Sequence, residues 1–389
     1  MRLRTLAVAA FVGLAACGSP SQPSGRASPA TGASGQPSPA ALGTTLIAIA
    51  TGLPGLQLVN SNPTPGHATV KIVDANGRVH AEASFAPPPA PEIGNAAPLL
   101  QSPVRTVGGA VFYADSTGTV HKLKADGSTS IVATFPLTNA QQELSYAVSP
   151  DGAHLIATVL STPPLHNPPP KSLGDPLFQD GGHWTLKLET ADAGGSTTTT
   201  LQRDFGTVYP APTQIVGWDE HGPVATLNTQ IGAQQAPASG HIFGGPLIHL
   251  AADGTHLDTL GGPGCTVVDE LPDGTVICDG DSTNVTVRTS SGASLWQASL
   301  PSDNYYYGLW LSPDGNSIAV QNVVVTSTSV ASAARQSNGG EPPLTALGWL
   351  DAGTVVESNY PTGQVSLYQA GGLVKIRDLG VSGIFEGLV

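Results

Sequence analysis

The chain has 389 residues, with 28 acidic against 15 basic side chains, a net charge of −13 and only 11% charged residues overall. That balance argues against a nucleic-acid partner, and no stripe of Lys and Arg along the chain reverses it. The 47 glycines and 34 prolines separate short runs of Val, Thr and Ile, and no long stretch keeps a helical period, so the composition excludes a mainly helical chain and points to an all-β one.

The chain opens with Arg2 and Arg4, then an apolar stretch from Leu6 to Ala16 that is too short to span a bilayer. This order is that of an export signal over residues 1–16. Its end, Leu14-Ala15-Ala16-Cys17, resembles the lipobox of bacterial lipoproteins. The resemblance implies cleavage ahead of Cys17, lipid on its thiol, and an extracytoplasmic chain anchored to the cell membrane. The alternative is an ordinary secretory signal with a chance cysteine. Beyond it, no stretch of about twenty apolar residues suggests another crossing. After Cys17, residues up to 43 are almost entirely Gly, Ser, Pro, Ala, Thr and Gln with one charge, Arg26, too little apolar surface to offset the entropy of ordering; residues 17–43 are expected to be a flexible linker, with a folded domain over 44–389.

Within that domain the organising feature is a repeat. The segments GGAVFYADSTGTVHKLKADG (108–127) and GTVVESNYPTGQVSLYQAGG (353–372) place turn glycines at 108, 118 and 127 and at 353, 363 and 372. Each reads as strand, turn, strand, turn. An inner strand ending in a turn recurs as YAVSPDG (146–152), GWDEHG (217–222), VVDELPDG (267–274), WLSPDG (310–315) and WLDAG (349–353). Outer turns recur at Asn76-Gly77, Asp126-Gly127, Gly194-Gly195, Asp253-Gly254, Ser291-Gly292, Asn338-Gly339 and Gly371-Gly372. This periodicity predicts a β-propeller of seven four-stranded blades, with six or eight as alternatives because residues 305–340 have an indistinct outer half. The tail 383–389 has strand character and is a candidate to pair beside residues 45–50 and join the two ends of the ring. The SPDG turns at 149–152 and 312–315, each followed by an apolar strand, resemble the repeats of WD40-like and TolB-type bacterial propellers. DEHG, LPDG and DAG replace them elsewhere, so the resemblance implies a fold and not an activity.

With Cys17 lipidated, Cys265 and Cys278 remain as an even pair flanking Pro272-Asp273-Gly274. They are expected on the two strands of one hairpin, joined by a disulfide; the alternative is two free buried thiols.

No catalytic centre stands out. There is no GxSxG elbow and no GxxxxGK loop, and Ser149 and Ser312 lie in tight turns without an evident base. Asp279-Gly280-Asp281-Ser282-Thr283-Asn284 alternates oxygen ligands but lacks the later glycine and closing Glu of a calcium loop, and reads as a turn. His166, His183 and His241, with Asp175 and Asp180, have no close spacing that would favour a metal, so neither metal nor cofactor is expected. The strongest pointer is positional. Residues 161–183 and 229–245 both join the second and third strands of a blade, in neighbouring units, and such long excursions are usually functional or disordered. They supply the candidate ligand or partner residues His166, Lys171, Asp175, Phe178, Asp180 and His183, and Gln234, His241 and Phe243. Tyr305 and Tyr306, before an inner strand on the same face, are candidate stacking platforms. The reading is a monomeric, non-catalytic binding or scaffold propeller for a protein, peptide or envelope glycan. The alternative is a hydrolase or lyase with carboxylates in the central funnel.

Overall fold

The computed structural model describes residues 44–53, 66–89, 102–166, 178–207, 213–227, 246–279, 284–300, 309–332, 344–359 and 362–389. Among them there is no helix, and 28 strands form seven four-stranded antiparallel sheets, the blades of a propeller. The first blade takes β1 (Leu46–Thr51), β2 (Ala68–Asp74) and β3 (Val79–Phe85) from the start of the domain. The second is β4 (Val104–Val107), β5 (Ala110–Ala114), β6 (Thr119–Lys124) and β7 (Thr129–Thr134). The third is β8 (Gln142–Val148), β9 (His154–Ser161), β10 (Thr185–Asp192) and β11 (Thr198–Asp204). The fourth is β12 (Thr213–Asp219), β13 (Gly222–Leu227), β14 (Leu247–Leu250) and β15 (His256–Thr259). The fifth is β16 (Thr266–Glu270), β17 (Val276–Asp279), β18 (Asn284–Arg288) and β19 (Ser294–Ser299). The sixth is β20 (Trp310–Leu311), β21 (Ser317–Val320), β22 (Val323–Thr326) and β23 (Val330–Ser332). The seventh is β24 (Leu344–Asp351), β25 (Thr354–Asn359), β26 (Gln364–Gln369) and β27 (Val374–Ser382). The last strand, β28 (Ile384–Leu388), returns to the first blade and lies inside β1.

Burial follows distance from the axis. Inner and second strands such as β8 (QELSYAV) and β5 (AVFYA) are buried along their whole length, because both faces pack against neighbouring blades. They therefore read as apolar runs without alternation. Outermost strands such as β11 (TTTLQRD) are almost fully exposed and polar, which places the Thr198–Thr200 run at an open sheet edge.

Turn chemistry explains why the repeat is visible in some blades and blurred in others. In SPDG the Ser149 hydroxyl donates to Asp151 Oδ1 (2.5 Å) and accepts from the His154 N–H (2.9 Å), while Gly152 adopts φ +71°. Ser312, Asp314 and Ser317 reproduce the arrangement at 2.6 and 2.9 Å. Both serine hydroxyls are thus committed to their turns. Where the motif changes, an aspartate at the first position of the turn caps the turn's own backbone: Asp219 accepts from the His221 and Gly222 N–H groups, and Asp351 from Gly353. One expected outer turn is displaced. The sixth blade turns at Thr326–Ser329, where the Thr326 hydroxyl accepts from the Ser329 N–H (3.0 Å), and Asn338-Gly339 falls after the blade, outside the described residues. A hydroxyl-capped turn carries no glycine and leaves no glycine signal.

The ring closes through its ends: Ile47 pairs with Leu388, Ala48 with Gly387, Ile49 with Phe385 and Ala50 with Ile384. Phe385 lies against Gly348 of β24, where a Cβ would stand 2.6 Å from the ring. Neighbouring inner strands are also stitched by side chains. Thr106 donates to the Glu386 carbonyl, Arg105 to the Tyr146 carbonyl, and Trp310 to the Ala346 carbonyl; the Ser145 hydroxyl accepts from Ile215 N–H and the Asp269 carboxylate from Leu311 N–H. This belt satisfies main-chain groups that a blade alone leaves open at the axis. Cys265 and Cys278 are disulfide-bonded with their Cα atoms 5.0 Å apart, joining the start of β16 to β17 within the core shared by the fourth and fifth blades. The closed loop is short, so its cross-link is worth about 3 kcal/mol on the chain-entropy account.

Candidate functional site

The two long connections stand where the repeat places them, between β9 and β10 and between β13 and β14 of adjacent blades. The described stem of the first is itself a small ladder. Leu165 bridges Phe178, and the Gln179 N–H donates to the Pro164 carbonyl (2.9 Å). The Phe178 ring meets Trp184 edge-on at 5.0 Å, and with Leu160, Leu186 and Phe205 they plug the end of the third blade. His183 is paired with Asp204 (2.9 Å), which ties β10 to the end of β11, so its role in the described structure is a strand-end staple. Asp180 is exposed, and His166 is half-buried with its Nε2 lacking a partner among the described residues. Lys171, Asp175, Gln234, His241, Phe243, Tyr305, Tyr306 and Cys17 lie outside the described residues.

The third and fourth blades share a seam. At the axis it is tight: Gln214 Nε2 donates to Glu143 Oε1, Ser145 bonds Thr158 (2.6 Å), and Ala147, Ile156, Leu188, Ile215, Ala225, Ile248 and Leu250 form one apolar cluster. Outward the blades splay and leave a cavity of about 400 Å³. Its floor is Leu186, Leu188 and Leu201 on one side and Ile248 and Leu250 on the other; Arg203, Asp253 and His256 stand exposed at the mouth. The Arg203 side chain makes no hydrogen bond or ion pair with a described residue, although it sits in a chain of net charge −13. A second cavity of about 400 Å³ continues along the seam, walled by Trp218, Ile156 and Ala251, with the His154–Asp192 pair (2.8 Å) among its lining.

The other notable chemistry is a set of buried carboxyls. Burial pushes Glu143 up to about 7 against the pull of Gln214, and Asp269 to about 7 against its backbone hydrogen bonds. Burial likewise raises Glu386 to about 7, opposed by Ser102 and Arg105, and Glu357 to about 8. They come from blades three, five, one and seven, and none is among the groups that shift another. Among the described residues no group of three His, Cys, Asp or Glu is arranged to hold a metal.

The sequence placed the long connections on the third and fourth blades but gave no sign of Arg203, His256 or the axial acids beside them. The available signal for the acids was a charged residue inside an otherwise apolar strand, as in QELSYAV and TVVESN.

No family model matches the chain, and no curated protein matches it by sequence. Similar solved structures are propellers and proteins of diverse kinds. The β-propeller domain of Cps50 (Swd1) from Myceliophteria thermophila is 13% identical, with 73% of this chain and 87% of that chain covered and a TM-score of 0.40. An oligogalacturonate lyase from Vibrio parahaemolyticus is 11% identical, with 77% and 82% covered and a TM-score of 0.44. The dihydro-heme d1 dehydrogenase NirN is 12% identical, with 88% and 74% covered and a TM-score of 0.44.

Proposed function

We propose that this chain is a non-catalytic binding module, held outside the membrane by lipid on Cys17, that takes a protein or peptide at the seam between its third and fourth blades. The observation that carries this reading is the coincidence of three things at one seam: two long connections, an apolar-floored cavity of about 400 Å³, and at its mouth a cation with no ion-pair partner among the described residues. An apolar side chain fits the leucine floor, and an acidic neighbour or a chain-terminal carboxylate fits Arg203. A glycan fits less well, because the floor offers aliphatic walls in place of stacking platforms.

Crosslinked recovery of partners from intact cells tests the site. A variant lacking residues 167–177 is expected to lose partners that the wild type recovers, and Arg203→Glu to weaken capture about tenfold or more, the loss of one charge-assisted contact and its replacement by repulsion. Recovery of the same partners by all three chains would defeat the reading. A lipid analogue supplied in the same cultures is expected to label the wild type and not Cys17→Ala.

The raised axial carboxyls support a second reading, a hydrolase or lyase, since carboxyls near 7 are suited to general acid work. They are weaker support. Glu143 is occupied by Gln214, Asp269 by the Leu311 N–H, and Glu357 lies on a second strand between Ala346 and Ser366.

A further inference from the structure

The turns that end β12 and β16 are rich in acids, WDEHG in one blade and DELPDG in the next, and they meet at the rim opposite the long connections. Asp219 is almost fully buried there. Its Oδ1 accepts from the His221 and Gly222 N–H groups at 2.7 and 3.0 Å, and its Oδ2 is 2.8 Å from His249 Nε2. The other ring nitrogen of His249 is 2.5 Å from Asp258 Oδ1. Although burial opposes it, a carboxylate on each nitrogen favours the doubly protonated ring and raises the His249 pKa above the usual histidine value.

Glu270 of the fifth blade completes the group. Its carboxyl reaches Asp219 across the seam within hydrogen-bonding distance, and its Oε1 is buried with no partner among the described residues. Two carboxyls cannot share a hydrogen bond without a proton between them. The backbone around them is close-fitting. The Glu220 N–H donates to the Pro272 carbonyl (3.1 Å), and Gly274, at φ +76°, lies where a Cβ would be 3.3 Å from Asp219 Oδ2.

We propose that this rim is a proton-operated clasp: Glu270 and Asp219 hold the fourth and fifth blades together through one shared proton, and loss of that proton loosens the seam. The groups facing it settle the direction. The fourth blade contributes Asp219, Glu220, His221, whose ring meets His249 edge-on at 5.7 Å, His249 and Asp258. The fifth contributes Asp269, Glu270 and Asp273, and its Arg288 is turned away to the Gly261 carbonyl. His249 is already matched by two carboxylates, so a second charge on the Glu270 side has no counter-ion. Burial, then Asp219, Asp269 and Asp273, hold the Glu270 carboxyl well above the usual carboxylate range. Because the folded chain keeps this proton more tightly than the unfolded one, the clasp is closed in acid and weakens as pH rises through the folded pKa.

Hydrogen exchange of the full chain between pH 5.5 and 9, corrected for the intrinsic rate, reads the clasp directly. Protection of segments 214–224 and 266–278 is expected to fall, by up to about tenfold per pH unit while Glu270 titrates, and to fall more steeply than the same segments of Glu270→Gln. Glu270→Gln keeps a donor toward Asp219 and cannot ionise, so its profile carries only the shallower fall set by the other buried carboxyls. Asp273→Asn keeps the cap on Thr275 and removes one repelling charge, so Glu270 ionises more readily and the fall should move to lower pH. A level wild-type profile, a fall in Glu270→Gln as steep as in the wild type, or an Asp273→Asn profile that does not move to lower pH each overturns the proposal.

Discussion

A chain lacking residues 383–389 is expected to lose about 10 °C or more of thermal midpoint, since several kcal/mol of packing leave with one strand. β28 is the inner strand of a blade whose other three strands come from the opposite end of the sequence, so it alone converts an open arc of blades into a ring. Ile384 and Phe385 are buried, and the Val389 N–H donates to the Leu46 carbonyl at 2.8 Å. Burying two side chains of this size contributes about 2 to 3 kcal/mol each before any ladder bonds are counted. Removal also uncovers the inner edge of β1 and the flank of Gly348 in β24, and takes away the Glu386 carbonyl that Thr106 uses. Phe385→Ala alone should cost about 3 to 5 kcal/mol, because the ring sits against backbone that cannot collapse into the space. Adding a synthetic peptide of residues 381–389 to the truncated chain should restore part of the lost midpoint. An unchanged midpoint on truncation would show that the ends do not carry closure.

Closure was legible because it needs only local signals at two places, apolar strands at 45–50 and 383–389. The same holds for the paired glycines: 118, 127 and 363 sit in turns with positive φ, a conformation glycine adopts without cost, and so they mark the blade period in the sequence. The sixth blade hid its outer turn because Thr326 and Ser329 close it with hydroxyl bonds, while Asn338-Gly339, the stronger turn dipeptide, lies elsewhere. The candidate site was legible only as loop position. The cavity depends on how far two blades splay, and His183 finds Asp204 on another strand, neither of which a local pattern encodes. The axial acids were hidden for a different reason. Both faces of an inner strand are buried, so alternation cannot tell a core position from an exposed one, and Glu143 or Glu386 looks like an ordinary solvent-facing residue.

Those acids set the second large effect, a stability maximum on the acid side of neutrality. Glu143, Asp269 and Glu386 are raised to about 7 and Glu357 to about 8, all first by burial. A carboxyl held above its unfolded value contributes stability that is fully present below the unfolded pKa and is lost as pH rises through the folded one. The loss therefore runs from about pH 4.5 to 8. An opposing limb lies below it. Although burial resists ionisation, His80 and backbone N–H groups hold Asp74 below the usual range, and His121 and Thr117 do the same for Asp115, so their contribution disappears as pH falls through the folded pKa. Glu357 is the most telling position, at 1% exposure with neither oxygen partnered among the described residues. Ionising it places an uncompensated charge between blades, whereas glutamine keeps its shape and never ionises. Glu357→Gln should match the wild type near pH 5 and exceed it by about 2 kcal/mol at pH 8.5, a conservative fraction of the roughly 1.4 kcal/mol carried by each unit of pKa difference. Glu143→Gln should gain less, because Gln214 already stabilises the charged form there. Urea midpoints at pH 5, 6.5 and 8.5 decide it: curves for Glu357→Gln and wild type that run parallel across that range would mean the Glu357 carboxyl is not held neutral by the fold.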